Sequence, residues 1–181
     1  MLERKILDLF YGLIGFKGES HPSRIKGFDF SQLQKFEVML GKSDRSLVDF
    51  EAILEFGCGQ GRLLKLLSEM APQAKLYGCD VNRESIISAR QKCRRGIFSL
   101  NDIGPPLPYD DSKFDLIFAY SVFTHLTEKS HISWLRELSS KLRAGGIAIF
   151  STHSIEAFKR MNPVLLNCCF RSIFFSFSKI N

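Results

Sequence analysis

The stretch Ala52-Ile53-Leu54-Glu55-Phe56-Gly57-Cys58-Gly59-Gln60-Gly61-Arg62 decides how the rest of the chain is read. Ala52 to Phe56 is a short apolar run interrupted by one acid, suited to a buried strand. Glycines at 57, 59 and 61 then carry it directly into the helical pattern of Gln60 to Met70, closed by Pro72. A strand that enters a helix through glycines brings bare backbone close to a ligand at a helix N-terminus, because no Cβ blocks the approach. Nucleotide-like ligands use this geometry. A dinucleotide fingerprint asks for Gly-x-Gly-x-x-Gly, but the position of its third glycine is Arg62, and the third glycine comes one residue earlier. The dinucleotide reading drops accordingly.

Outward from the turn, apolar runs alternate with helical patterns, the signature of a parallel sheet with helices on both faces. Leu76 to Cys79 reads as the second strand. Asn82 suits the N-cap of a helix that carries Ile86, Ile87 and Cys93 inward and ends at Gly96, where a left-handed residue is expected. Ile97 to Leu100 is the third strand, and Pro105, Pro106 and Pro108 demand a loop. Phe114 to Tyr120 makes a dense apolar fourth strand, expected at the sheet centre. Thr127 caps a helix with Ile132, Leu135, Leu138 and Leu142 at helical spacing, ending at Gly145-Gly146 before a fifth strand, Ile147 to Ser151. Upstream, Ser31 to Leu40 reads as a helix with Leu33, Phe36 and Leu40 on one face and Gly41 as its stop. The fold class is therefore α/β, a three-layer sandwich around a mostly parallel sheet.

Asp80 lies at the end of the second strand, 19 residues beyond Gly61. There its two oxygens could accept both hydrogen bonds of a ribose diol. With that second match, the segments Ile53 to Gly61, Tyr77-Gly78-Cys79-Asp80, Phe114-Asp115-Leu116-Ile117 and Leu142-Arg143-Ala144-Gly145-Gly146 resemble class I, Rossmann-like, S-adenosylmethionine-dependent methyltransferases. The resemblance spans roughly residues 50 to 153. It implies S-adenosyl-L-methionine as cofactor, with Glu55 and Gly57, Cys58, Gly59 and Gly61 around the methionine part. Asp80 would hold the ribose, Asp102 and Ile103 would border the adenine, and Val81 and Tyr120 would also touch the cofactor. Two of these keep another reading: Glu55 could tie down amides of the turn, and Asp102 could cap the loop that follows it.

Methyl transfer from a sulfonium asks for positioning and exclusion of water more than for a special catalytic group. Ligands sit at the carboxyl ends of parallel strands, which places Tyr120, Ser121, Phe123 and His125 after the fourth strand and His153 after the fifth, facing the transferred methyl. If the acceptor must lose a proton, His125 or His153 can take it, since imidazole titrates near neutral pH. The alternative places His125 at the end of a short helix and Phe123 in the core. For His21 and His131 the surface is expected. Ala119-Tyr120-Ser121-Val122 departs from the Asn- or Asp-Pro-Pro-Tyr of the family's base-amino and glutamine methyltransferases, and none of the five cysteines follows a proline as in its cytosine-C5 enzymes. No histidine and acid cluster has metal-ligand spacing, so no metal is expected. A small molecule, lipid, sugar intermediate or protein side chain remains as acceptor, with no nucleic acid expected. A catalytically inactive domain that binds the cofactor and serves as a partner or regulatory subunit stays open as the second class.

The flanks and composition set the remaining expectations. With 181 residues and 45% apolar, one domain can bury about 70% of its unfolded surface. It divides into a helical segment 1–48, a cofactor-binding core 49–153 and a shortened segment 154–181. Met1 to Lys17 reads as an amphipathic helix rather than a signal peptide. Val164 to Phe177 is broken by Asn167 and Arg171 and falls short of the ~20 residues of a membrane span. The charge of +6 is spread along the chain apart from Arg90, Lys92, Arg94 and Arg95, which suits a solvated face. Cys58, Cys79, Cys93, Cys168 and Cys169 show no paired spacing, as expected of reduced thiols in a cytoplasm. Only 29 residues follow Thr152, enough for a brief helix at Ile155 to Met161 and one strand around Ile173, Phe175 and Phe177. If C-terminal strands have been lost, an apolar sheet edge would be left to pair with a second copy, and a homodimer is expected.

Overall fold

The computed structural model describes residues 33, 36–41 and 43–151. The expectations for the first helix, His21, His153, Val164 to Phe177 and the C-terminal strand lie outside these residues. Five strands, β1 (Ala52–Phe56), β2 (Lys75–Asp80), β3 (Gly96–Leu100), β4 (Phe114–Ala119) and β5 (Leu142–Phe150), form one sheet in the order β3-β2-β1-β4-β5. Every neighbouring pair is parallel. Three helices connect them: α1 (Arg62–Met70), α2 (Arg83–Lys92) and α3 (Glu128–Lys141).

The alternation of side chains along each strand divides the core into two layers. Ile53, Leu76, Leu116, Phe118, Ile147 and Ile149 pack with Leu63, Leu64 and Leu67 of α1 and Ile86 and Ala89 of α2. Leu33, Phe36 and Leu40, from the segment upstream of the sheet, join that layer and are almost fully buried. On the opposite face, Leu54, Phe56, Ile117, Ala119, Ala148 and Phe150 pack with Trp134, Leu135 and Leu138 of α3. The result is the three-layer α/β sandwich expected from the sequence.

Both expected caps form. Asn82 accepts from the Ser85 amide at 2.8 Å and Thr127 from the Ser130 amide at 3.3 Å. The carboxylate of Asp115, buried at the start of β4, accepts from the amides of Glu51 and Ala52 at 2.7 and 2.9 Å and from Arg143 at 2.7 Å. It thereby ties the starts of β1 and β4 to β5.

Four expectations are corrected. Ile87 is 50% exposed, so only Ile86 and Cys93 of that set turn inward. Gly96 is not a left-handed cap but the first residue of β3; a Cβ there would stand 2.4 Å from the Phe98 ring, so packing demands the glycine. Leu142 leaves the helix: α3 stops at Lys141, and β5 runs from Leu142 through both glycines, with a shift in its pairing to β4 between Phe114 and Leu116. β4 is buried along its whole length, yet β1 is the middle of the five described strands.

Candidate functional site

The strand order reverses between β1 and β4, and open parallel sheets bind ligands in the crevice outside the carboxyl ends at such a point. A cavity of about 360 Å³ lies there, within the range of small-molecule sites. Of the residues proposed from the sequence, Gly57, Asp80, Val81, Ile103, Tyr120 and His125 line it, as does Ser121. Phe56, Asn101, Val122, Leu126 and Trp134 complete the wall.

The glycine turn is held to β2 by its backbone. The Cys79 carbonyl accepts from the amides of Gly57 and Cys58 at 2.8 and 2.9 Å, and Gly61 donates to the Cys58 carbonyl at 2.9 Å. The three glycines have positive φ, but they answer to different neighbours. A Cβ on Gly57 would stand 2.3 Å from Val122 Cγ2, and one on Gly61 3.0 Å from Ala89 Cβ and 3.2 Å from the Phe98 ring. Gly59 alone faces open space. Thus Gly57 admits the loop after β4, Gly61 admits α2 and β3, and Gly59 leaves the backbone accessible to a ligand.

Asp80 is built into this turn. Its Oδ2 accepts from the Gly59 amide and its Oδ1 from the Asn82 amide, each at 2.8 Å. Two backbone bonds occupy half of the roughly four lone-pair sites that a carboxylate offers. The rest remain for donors in the cavity.

Behind the turn, Glu55 is 3% exposed, in register between Gly78 and Phe118, and does not line the cavity. Burial pushes the Cys58 thiol up, with the Glu55, Cys79 and Asp80 charges adding to the effect. Burial likewise pushes the Cys79 thiol up to about 12. Both stay protonated at neutral pH, so neither is a nucleophile.

On the far wall Asp102 is exposed and away from the lining, whereas Asn101 is 8% exposed and lines it. Asn101 Nδ2 donates to the Asp102 carbonyl at 2.7 Å, while Oδ1, buried, accepts nothing. A buried acceptor without a donor costs about 1–3 kcal/mol, so this atom is suited to a ligand's N–H. Trp134, 2% exposed, donates from Nε1 to the Ile103 carbonyl at 3.3 Å and packs against Phe56 with ring centroids 4.6 Å apart. The helical spacing assigned Leu135 and Leu138 to the core but gave no sign that their neighbour Trp134 reaches the cavity.

After β4 the chain turns sharply. Ser121 has φ 59° and donates its amide to Ser151 Oγ at 2.6 Å. Phe123–His125 is a single 3₁₀ turn in which Phe123 is buried core and His125 is exposed toward the cavity. His131, expected at the surface, is instead 8% exposed, with Nε2 2.5 Å from the Phe123 carbonyl oxygen. Among the described residues, no helix is long and apolar enough to cross a membrane.

Comparison with known proteins agrees with this geometry. A family model described as a methyltransferase domain matches residues 53–146. Trans-aconitate 2-methyltransferase of Azoarcus sp. (strain BH72) is 32% identical over 126 residues, covering 66% of this chain and 48% of its own. Malonyl-[acyl-carrier protein] O-methyltransferase of Legionella pneumophila is 29% identical over 111 residues, covering 60% of this chain and 38% of its own. The chain therefore spans about half or less of the length of these relatives. Among solved structures, a TehB-like SAM-dependent methyltransferase from Corynebacterium glutamicum shares the fold with TM-score 0.58 at 21% identity, covering 80% of this chain and 84% of its own.

Proposed function

The chain belongs to the class I S-adenosylmethionine-dependent methyltransferase family, and from that premise we propose that it moves a methyl group from S-adenosylmethionine to a small-molecule acceptor. The observation that carries this reading is the place of the cavity: it opens at the strand-order reversal, between the glycine turn, Asp80 and the loop after β4.

The residues fit the cofactor. Asp80, fixed by two backbone amides, has acceptor capacity left for a ribose diol. Asn101 Oδ1, a buried acceptor on the cavity wall, suits an exocyclic amine of the adenine, which the resemblance had bordered by the neighbouring Asp102. Gly57 would border the methionine part, with the open space at Gly59 beside it outside the cavity lining, and Val81 and Ile103 supply apolar contact. S-adenosylmethionine supplies a methyl carbon already activated on its sulfonium. Phe56, Leu126 and Trp134 give the cavity an apolar lining, and Tyr120, Ser121 and His125, after β4, would orient an acceptor.

The acceptor class follows from two supports. Among the curated relatives, the trans-aconitate 2-methyltransferases and malonyl-[acyl-carrier protein] O-methyltransferases carry the names of acids as acceptors, beside a sarcosine/dimethylglycine N-methyltransferase. A carboxylate oxygen is already anionic at neutral pH, so transfer to it asks for orientation and no proton removal. On such an acceptor His125 orients; on a hydroxyl or amine it acts as general base. The buried thiols Cys58, Cys79 and Cys93 suit a reducing cytoplasm.

Calorimetric titration with S-adenosylmethionine, S-adenosylhomocysteine and NAD, followed by methyl-labelled cofactor with trans-aconitate, malonyl-acyl carrier protein and a cell extract, tests the proposal. Binding of the first two ligands and label on an acid are expected. Binding of NAD alone overturns the cofactor assignment, and binding without transfer to any acceptor replaces the enzyme by a cofactor-binding partner.

A further inference from the structure

One face of α3 holds both walls of the cavity. Residues three or four apart on a helix are neighbours, and His131, Trp134, Glu137 and Lys141 follow that spacing. Three of them grip the segment between β3 and β4. Trp134 donates to the Ile103 carbonyl at 3.3 Å, Glu137 accepts from the Leu107 amide at 2.8 Å, and Lys141 pairs with Asp111 at 2.6 Å.

His131 grips the other wall. Its Nε2 lies 2.5 Å from the Phe123 carbonyl oxygen, and its ring packs on the Phe123 ring with centroids 5.3 Å apart. A carbonyl can only accept, so Nε2 carries the proton. Phe123 is itself wedged between Phe56 and Phe150, at 6.3 and 4.8 Å. The turn that His131 holds is otherwise braced by small polar groups. Thr124 Oγ1 donates to the Ser121 carbonyl at 3.0 Å, and the His125 amide donates to the Val122 carbonyl at 3.0 Å. Ser121 sits at φ 59°, a conformation that a non-glycine residue keeps only when its surroundings impose it.

We propose that His131 is a positioning residue for methyl transfer: through the Phe123 carbonyl it fixes the Ser121–His125 turn, and hence His125, at the acceptor side of the cavity. His131 itself does not line the cavity. The inference rests on the proposed cofactor site, and it assigns successive positions on the α3 face to separate tasks, Trp134 to the adenine wall and His131 to the acceptor wall.

The chain has four histidines and one tryptophan, which makes the test direct. Histidine-selective NMR of the full chain follows the His125 ring on addition of S-adenosylhomocysteine. In wild type the His125 signals move and His131 shows the Nε2-protonated tautomer. In His131→Leu the movement is at least halved while S-adenosylhomocysteine affinity stays within about threefold, a difference below 1 kcal/mol. His131→Gln, which keeps a donor, restores the movement. With an acceptor in hand, His131→Leu lowers kcat by roughly tenfold or more, with cofactor affinity kept. An unchanged His125 response in His131→Leu overturns the inference, as does the Nδ1-protonated tautomer in wild type, which needs no variant to fold. Wild type that binds no S-adenosylhomocysteine overturns instead the cofactor reading beneath it.

Discussion

Gly57→Ala separates two reasons for a glycine at the start of the turn. If the glycine serves only the approach of a ligand, alanine weakens cofactor binding and leaves folding alone. The structure says otherwise, because the new Cβ would meet Val122 Cγ2 at 2.3 Å, far inside ordinary contact, in a residue whose φ is 73°. The left-handed conformation costs alanine about 1–2 kcal/mol. Relieving the overlap costs a further ~1–3 kcal/mol, the usual range for overpacking. Gly57→Ala is therefore expected to destabilise by about 2–5 kcal/mol in urea unfolding. Val122→Ala removes the overlapping Cγ2 methyl, along with Cγ1 at 3.6 Å, and leaves Val122 Cβ 3.5 Å from the new atom, an ordinary contact. The double variant should then recover the ~1–3 kcal/mol of overlap while keeping the conformational cost. Additivity of the two substitutions within about 0.5 kcal/mol refutes the steric account.

Asp80→Ala removes the acceptor for the Gly59 and Asn82 amides along with the proposed ribose contacts. Two lost bonds to a charged group, at ~1.5–3 kcal/mol each, predict S-adenosylhomocysteine binding weaker by roughly 10²–10⁴-fold in calorimetry; a change under about threefold contradicts the role. Asp115→Ala strands the Glu51 and Ala52 amides and the Arg143 guanidinium, and should cost about 3–5 kcal/mol in the same unfolding assay, with Arg143→Ala recovering little because the amides stay unpaired. The Asp111–Lys141 pair predicts a pH window. Its hydrogen bond to Lys141 holds the Asp111 carboxyl below the usual range, so that contribution is present above the ordinary aspartate range and is lost as pH falls through the lowered value. The same bond, with help from Glu137, holds the Lys141 ammonium above its usual range, so its contribution is lost only as pH rises through the raised value. Asp111→Asn should therefore flatten the fall in melting temperature below about pH 5; an unchanged acid limb would show the pair to be inert.

How far the sequence could be read depends on how local each cause is. The five strands, the Asn82 and Thr127 caps and the place of Asp80 rest on residue types and their spacing along the chain, and the structure reproduces them, with β5 starting earlier than expected. Gly96, Leu142 and His131 depend instead on partners brought near by folding: the Phe98 ring two residues on but folded back, the strand β4 alongside, the carbonyl of Phe123. Periodicity cannot see those partners, because a histidine on a helix gives the same pattern whether it faces water or a carbonyl. The site divides in the same way. Glycines that share one motif turn out to serve Val122, Ala89 and open space, and the cavity wall presents Asn101 where the neighbouring acid drew attention. Along a strand end successive side chains face opposite ways, so a one-residue error in where β3 stops exchanges the inward group for the outward one. Motif resemblance picks out which loop borders the cavity; only the register of that loop on the sheet fixes which of its residues line it.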